Sequence, residues 1–275
     1  MINRTLALTT IAVCCAAAAP AMADGGNIFL TGHDPDLHMY YESASARAAL
    51  TSELAFVRNG SFLPMLTFDA GVQLTADLTT LGIAFVNFDP SSMVYNAATF
   101  DPTKYSAFAV ASHQDCGGCD NSSAGLARLA TFSSAIASFF NAGGGILGLA
   151  GATDPLAYAY VPQAAVNPGG NPPSGGFVET ADGLAQGLVA ENGDATHNYF
   201  GTPGVGGLSS AYRVAEVNGT NNESLFLRGG AIVCSGDGCG IVPGIPEPET
   251  YALMFGGLLA VGYAARRKNK AALSA

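Results

Sequence analysis

Basic residues are scarce. The chain of 275 residues has 11 Lys and Arg against 21 Asp and Glu, a formal net charge of -10. Four of those cations (Arg266, Arg267, Lys268, Lys270) stand at the C-terminal end and Arg4 at the other, so the middle is more acidic than the total. Binding to a phosphate backbone needs a basic face, and this balance excludes nucleic acid as a partner. Charge of either sign is sparse at 12%, Trp is absent, and Gly is abundant at 35 residues. Such a composition is common among secreted surface proteins. The acidic excess keeps the surface soluble or draws divalent cations to it. The chain has no internal repeat. Its middle, about residues 24–242, is long enough for one domain whose core needs no disulfide support.

The two ends have their own patterns. At the start, Arg4 precedes an uncharged apolar run, Leu6 to Ala19, and Ala21-Met22-Ala23 offers a small-x-small cleavage site. This is the layout of a secretory signal peptide over residues 1–23, handled by the Sec translocon and signal peptidase. The run is too short and too rich in Ala and Thr for a spanning helix. No Cys follows the cleavage point, which argues against a lipoprotein. Near the other end, Pro246-Glu247-Pro248 is incompatible with helix. It is followed by an apolar stretch, about residues 250–265, and then by Arg266-Arg267-Lys268. Cations after an apolar span stay cytoplasmic, so the expected anchor helix leaves the body outside the inner membrane. The span is short for a bilayer and alone is a marginal anchor.

The tail, residues 243–275, resembles the PEP-CTERM sorting signal in all three of its parts and in their order. That resemblance implies processing by an exosortase-type membrane protease. It further implies a Gram-negative bacterium that makes extracellular polysaccharide, with the mature protein at the cell surface or in the extracellular matrix.

Four cysteines remain in the body: Cys116 and Cys119 in Asp-Cys-Gly-Gly-Cys-Asp, and Cys234 and Cys239 in Cys-Ser-Gly-Asp-Gly-Cys. An oxidising compartment favours disulfides. The short spacings and intervening glycines suit two local loops, while pairing across the clusters, a four-thiolate zinc site and a redox dithiol are alternatives.

Along the body, strand-like and helix-like segments alternate. Asn27–Thr31, Phe62–Phe68, Ile83–Phe88, Ser106–Ser112 and Ile146–Ala150 read as strands; Leu37–Asn59 and Ala124–Asn141 read as helices. Asn59-Gly60 is a helix stop. Alternation of this kind predicts parallel crossover units in a three-layer α/β sandwich with a core over about residues 27–200. Residues 166–176 read as a loop. An irregular β-rich extension over about 201–242 contains short strands near 212–217, 224–227 and 230–233.

Three of the four histidines fall in loops where such strands would end, the place where open α/β sheets bind ligands. His33, Asp34, Asp36 and His38 follow the first strand, His113 a central one, and His197 lies later. Imidazole and carboxylate together suit a divalent metal, with His33, Asp34, Asp36 and His38 as ligands and His113 or His197 beside them. The alternative is plain: Asp34-Pro35-Asp36 caps the next helix, and the histidines bond loop backbone.

The run Phe139 to Ala152 resembles the nucleophile-elbow segment of the class I glutamine amidotransferase-like superfamily, including its ThuA-like relatives. There a helix, glycines and a strand lead into Gly-x-Cys-x-Gly; here Gly148, Leu149, Ala150, Gly151 and Ala152 match. The resemblance implies a flavodoxin-like fold, with Ala150 at the nucleophile position and His197 near the place of the catalytic histidine. A methyl group cannot attack a carbonyl, so the thiol mechanism is absent. The expectation is a non-catalytic surface or matrix domain that needs no cofactor and binds exopolysaccharide or another envelope component. Its rival is a surface or periplasmic hydrolase or metal-assisted enzyme, using His33, Asp34, His113 and His197.

Overall fold

A computed structural model describes residues 25–164, 166–167, 175–193, 196–235 and 238–243. The segments expected to be a signal peptide and an anchor helix, the Pro246-Glu247-Pro248 motif and Arg266, Arg267 and Lys268 lie outside the described residues. Among the described residues no helix is long and apolar enough to cross a membrane.

In chain order the body begins β1 (Asn27–Thr31), α1 (Pro35–Tyr40), α2 (Ala44–Arg58), β2 (Met65–Phe68), α3 (Gln73–Thr80) and β3 (Phe85–Phe88). It continues β4 (Ala107–Val110), α4 (Ser123–Ala130), α5 (Ser133–Asn141) and β5 (Gly145–Gly148). The later part holds β6 (Val166–Asn167), β7 (Val178–Glu179), α6 (Ala181–Ala185), β8 (Tyr199–Phe200), β9 (Arg213–Asn218), β10 (Asn221–Arg228), β11 (Ala231–Ser235) and β12 (Gly238–Val242).

The central sheet runs β3-β2-β4-β5-β1-β10-β8-β6, and β9 pairs with both β10 and β7. The first five strands of that order are mutually parallel. From β1 outward the pairing is antiparallel, beginning with Asn27 opposite Arg228 and ending with Thr31 opposite Ser224. The body is therefore a mixed α/β sandwich with a largely parallel sheet. A flavodoxin-like sheet has the order 2-1-3-4-5. Here the same spatial succession begins at β2, and the first strand in sequence takes the last place, beside β5.

Side chains of a strand alternate between faces. Ile28 and Leu30 accordingly enter the core built with Ile136, Phe139 and Phe140 of α5. Phe29 enters the opposite core, with Leu50, Leu54 and Val57 of α2 and Leu74 and Leu78 of α3. Each fully buried side chain of this size contributes about 1.5–3 kcal/mol.

Two expected helices are each divided. Residues 37–59 break where Glu42 takes φ 70° and Ser43 caps α2 by accepting from the Ala46 N–H. Residues 124–141 break at Thr131 and Phe132, between α4 and α5. Helix α3 was hidden by its sequence, QLTADLTT, whose threonines have poor helix propensity. Of the segment read as a loop at 166–176, Val166 and Asn167 pair with β8. Within the C-terminal β-rich portion, β9 and β10 join the main sheet, with β10 an interior strand, while β11 and β12 form a separate two-stranded antiparallel sheet.

Candidate metal centre at the strand ends

The loops after β4, β5 and β1 leave three adjacent parallel strands and meet at their carboxyl ends. Backbone bonds lock them together. The Ala150 N–H donates to the His33 carbonyl (2.9 Å), the His113 N–H donates to the Ala150 carbonyl (2.8 Å), and the His197 N–H donates to the Gly32 carbonyl (2.7 Å). Gly32 allows the last contact: a Cβ there would collide with the Asn198 carbonyl. Three of the four histidine positions are thus fixed by main-chain bonds before any side chain is considered.

The side chains then sort into three groups. The first is Asp34, His38 and His197. Asp34 Oδ1 lies 3.1 Å from His197 Nε2 and 3.3 Å from His38 Nε2, and the three ligand atoms lie within 4.8 Å of one another. The carboxylate is buried (1% exposed), while His38 and His197 are 28% and 23% exposed. Despite the short separation, neither Asp34 Oδ1 nor His197 Nε2 has a hydrogen-bond partner of acceptable geometry. Burial would raise the Asp34 pKa, but the two imidazoles outweigh it and hold the carboxyl below its ordinary value. The capping explanation holds only in part: Pro35 starts α1 and Asp36 is acidic in its first turn, but Asp34, at the N-cap position, makes no side-chain capping bond. Its second oxygen, Oδ2, stands 3.5 Å from Cys119 Sγ.

The second group surrounds His33. Its ring is buried, with Nε2 at 3.2 Å from Glu216 and Nδ1 at 4.0 Å from Glu191. Burial works against protonation, but Glu216, Glu191 and Glu223 together raise the imidazole pKa. Glu53 is buried nearby, and desolvation followed by repulsion from Glu191, Glu216 and Asp36 pushes its pKa well up. Phe177 packs edge-on against the His33 ring at 4.5 Å between centroids. His33 therefore serves as counter-ion to interior glutamates and does not join the Asp34 cluster.

The third group is His113. The Asp115 N–H donates to Nδ1 (3.2 Å), which leaves the ring proton on Nε2, directed at Ser123 Oγ (3.0 Å). Asp154 Oδ2 is 3.6 Å from the same Nε2. A serine nucleophile needs an imidazole that accepts its proton. This tautomer donates instead, so the Ser-His-Asp grouping holds a loop and does not activate Ser123. Asp36 is likewise structural: its carboxylate accepts from the Ser112 N–H (2.9 Å) and hydroxyl (2.6 Å), tying the β1 loop to the β4 loop. Burial raises its pKa to about 7.

Of the six expected residues, then, the structure unites Asp34, His38 and His197 and sends His33, Asp36 and His113 elsewhere. Glutamates 53, 191, 216 and 223 escaped sequence reading. Glu53 alone left a trace, three residues after Leu50 on the buried face of α2. Ala150 is buried, and Ala152 in the turn after β5 takes a left-handed conformation (φ 48°). Cys116 pairs with Cys119 and Cys234 with Cys239, the two local loops.

Fold and site together define a mixed α/β domain with two imidazoles and a carboxylate at its strand ends. No protein-family model, curated protein or solved structure matches the chain.

Proposed function

We propose that this is an exported surface protein whose α/β body is a metal-dependent binding domain, with Asp34, His38 and His197 holding one divalent transition metal. The carrying observation is the convergence of these three side chains around a buried carboxylate oxygen with no well-formed hydrogen bond. Bonds of about 2.0–2.1 Å meeting at a tetrahedral angle would separate ligand atoms by about 3.3 Å; the contacts to Asp34 are 3.1 and 3.3 Å. Two imidazoles with one carboxylate suit zinc or another borderline metal. Three protein ligands, two of them partly exposed, leave a coordination position for an outside oxygen donor. A metal with such a position lets an acidic protein hold an acidic glycan that its own charge would repel. This is the role proposed towards exopolysaccharide.

The amidotransferase-like and flavodoxin-like relationship belongs to the same reading, supported by the spatial strand succession and by the elbow-like turn after β5. Binding without catalysis is supported by the methyl groups of Ala150 and Ala152 and by the donor tautomer of His113. A metal-assisted hydrolase is the second reading, favoured by the three-ligand set, which is also the pattern of catalytic zinc sites. Sorting through the Pro246-Glu247-Pro248 tail and exosortase-type processing complete the proposal.

Zinc titration of the purified protein tests it. One equivalent is expected to bind, and His38→Ala or His197→Ala should each weaken binding by more than tenfold. Retained affinity in both variants would overturn the assignment. Zinc-dependent cleavage of ester or amide substrates, abolished by His197→Ala, would replace the binding reading with the hydrolase.

A further inference from the structure

Asp34 is shared between two donor sets. Its Oδ1 faces His38 and His197; its Oδ2 faces the Cys116–Cys119 pair, and the ligand atoms of Asp34, Cys116 and Cys119 also lie within 4.8 Å of one another. The cysteines are buried with Leu37 and Ala152 in a small apolar cluster of their own. They are joined through Gly117 (φ 100°) and Gly118, a turn that places both sulfurs on the same side of the short loop after β4. A metal bonded to sulfur at about 2.3 Å and to oxygen at about 2.0 Å, at a tetrahedral angle, sets those ligands about 3.5 Å apart. Asp34 Oδ2 and Cys119 Sγ are 3.5 Å apart.

We infer that the reduced Cys116–Cys119 pair forms, with Asp34, a second and thiolate-rich metal position, so that the disulfide governs which metal chemistry this end of the sheet supports. The inference rests on the proposed role of Asp34 but not on that of the histidines. In the oxidised protein the sulfurs are bonded to each other and carry no charge to offer. An external dithiol supplies two electrons and two protons: its own sulfurs become a disulfide, the Cys116–Cys119 bond breaks, and two thiols result. Metal binding then displaces their protons, because the thiolate is the ligand. Soft sulfur donors favour metals that the nitrogen and oxygen set holds less well.

The test compares oxidised and dithiol-reduced protein in a Cys234→Ala/Cys239→Ala background, which removes the other disulfide. After anaerobic removal of the dithiol, thiols are counted, folding is checked by circular dichroism, and cobalt(II) is added. The reduced, folded protein is expected to show two thiols and an intense thiolate-to-cobalt absorption in the near ultraviolet. It should bind one more equivalent of cobalt than the oxidised form does. Cys119→Ser should abolish the absorption, while His197→Ala should leave it. Two free thiols with no such absorption overturn the inference, and so does loss of the fold on reduction. A sulfur signal that survives in a protein whose oxidised form binds no cobalt would sustain this inference and sink the histidine site alone.

Discussion

At the scale of the residue, the protein's chemistry is concentrated on a few polar side chains that burial has forced into defined company. Asp34 is the sharpest case. It stands at a helix start, where an aspartate ordinarily caps, but its carboxylate turns away to two imidazoles. Asp34→Asn keeps the shape and removes the charge. It should cost metal affinity more than the roughly 10–100-fold that loss of a supporting second-sphere partner costs, measured by zinc titration, while the melting temperature stays close to the parent's. Glu53 offers a second test. Its pKa is raised by burial, so at alkaline pH the folded protein must either hold a proton the unfolded chain has released or bury a charge. Glu53→Gln removes that cost. It should raise the melting temperature at pH 8 and change it little at pH 5; equal effects at both values would contradict the interior location of an ionisable carboxyl.

At the scale of the element, the loops at the strand ends are held by side chains that bridge them. Asn121 donates from Nδ2 to the carbonyls of Phe68 and Ala111 (both 2.8 Å) and accepts the Ala70 N–H at Oδ1 (3.0 Å). It thereby joins the ends of β2 and β4, where the chain order reverses direction across the sheet. Asn121→Ala takes their partner from the Ala70 N–H and the Ala111 carbonyl, while the Phe68 carbonyl keeps the Ala111 N–H, and should destabilise by roughly 2–4 kcal/mol, read from urea denaturation, with zinc affinity less affected than stability. The alternation of strands and helices was legible because each buried strand is a short apolar run ending at a turn residue. Helix boundaries were less so. Residues 37–59 have continuous helical character, and only the local bond from Ala46 to Ser43 and the left-handed Glu42 divide them. The place of β1 beside β5 was not legible at all. Strand order depends on which edges find partners in space, and β10, which covers the far side of β1, lies nearly two hundred residues later in the chain.

The whole molecule carries an acidic interior as well as an acidic surface. Asp36, Asp69 and Asp77 are buried, and desolvation raises them to about 7, about 6 and about 8 respectively, against an ordinary value of 3.8. Glu53 and Glu223 shift the same way for the same cause. Each folded-state pKa lies above its unfolded value, so the folded protein binds more protons across the interval between them. Stability is then greatest below that interval and falls as pH climbs through it. His33, raised by its glutamates, adds to the same trend, while Asp34, lowered, opposes it only in strong acid. The melting temperature should decline steadily from pH 5 to pH 8.5; a flat or rising profile would mean these carboxyls are not desolvated as a group. The histidines were visible as a set in the sequence because His33 and His113 closely follow apolar runs, with His38 in the same segment as His33 and His197 in a later one. Their division into one pair on Asp34, one counter-ion and one loop support was not, since it depends on glutamates contributed by β9, β10 and the segment before β8. The sulfur beside Asp34 was equally hidden, as Cys119 is 85 positions away.

The most direct test is zinc K-edge X-ray absorption on the oxidised protein loaded with one equivalent of zinc. The account predicts two imidazoles in the first shell, nitrogen and oxygen ligands at about 2.0–2.1 Å, and no sulfur. A protein that retains no zinc, or whose zinc has no imidazole, would contradict it.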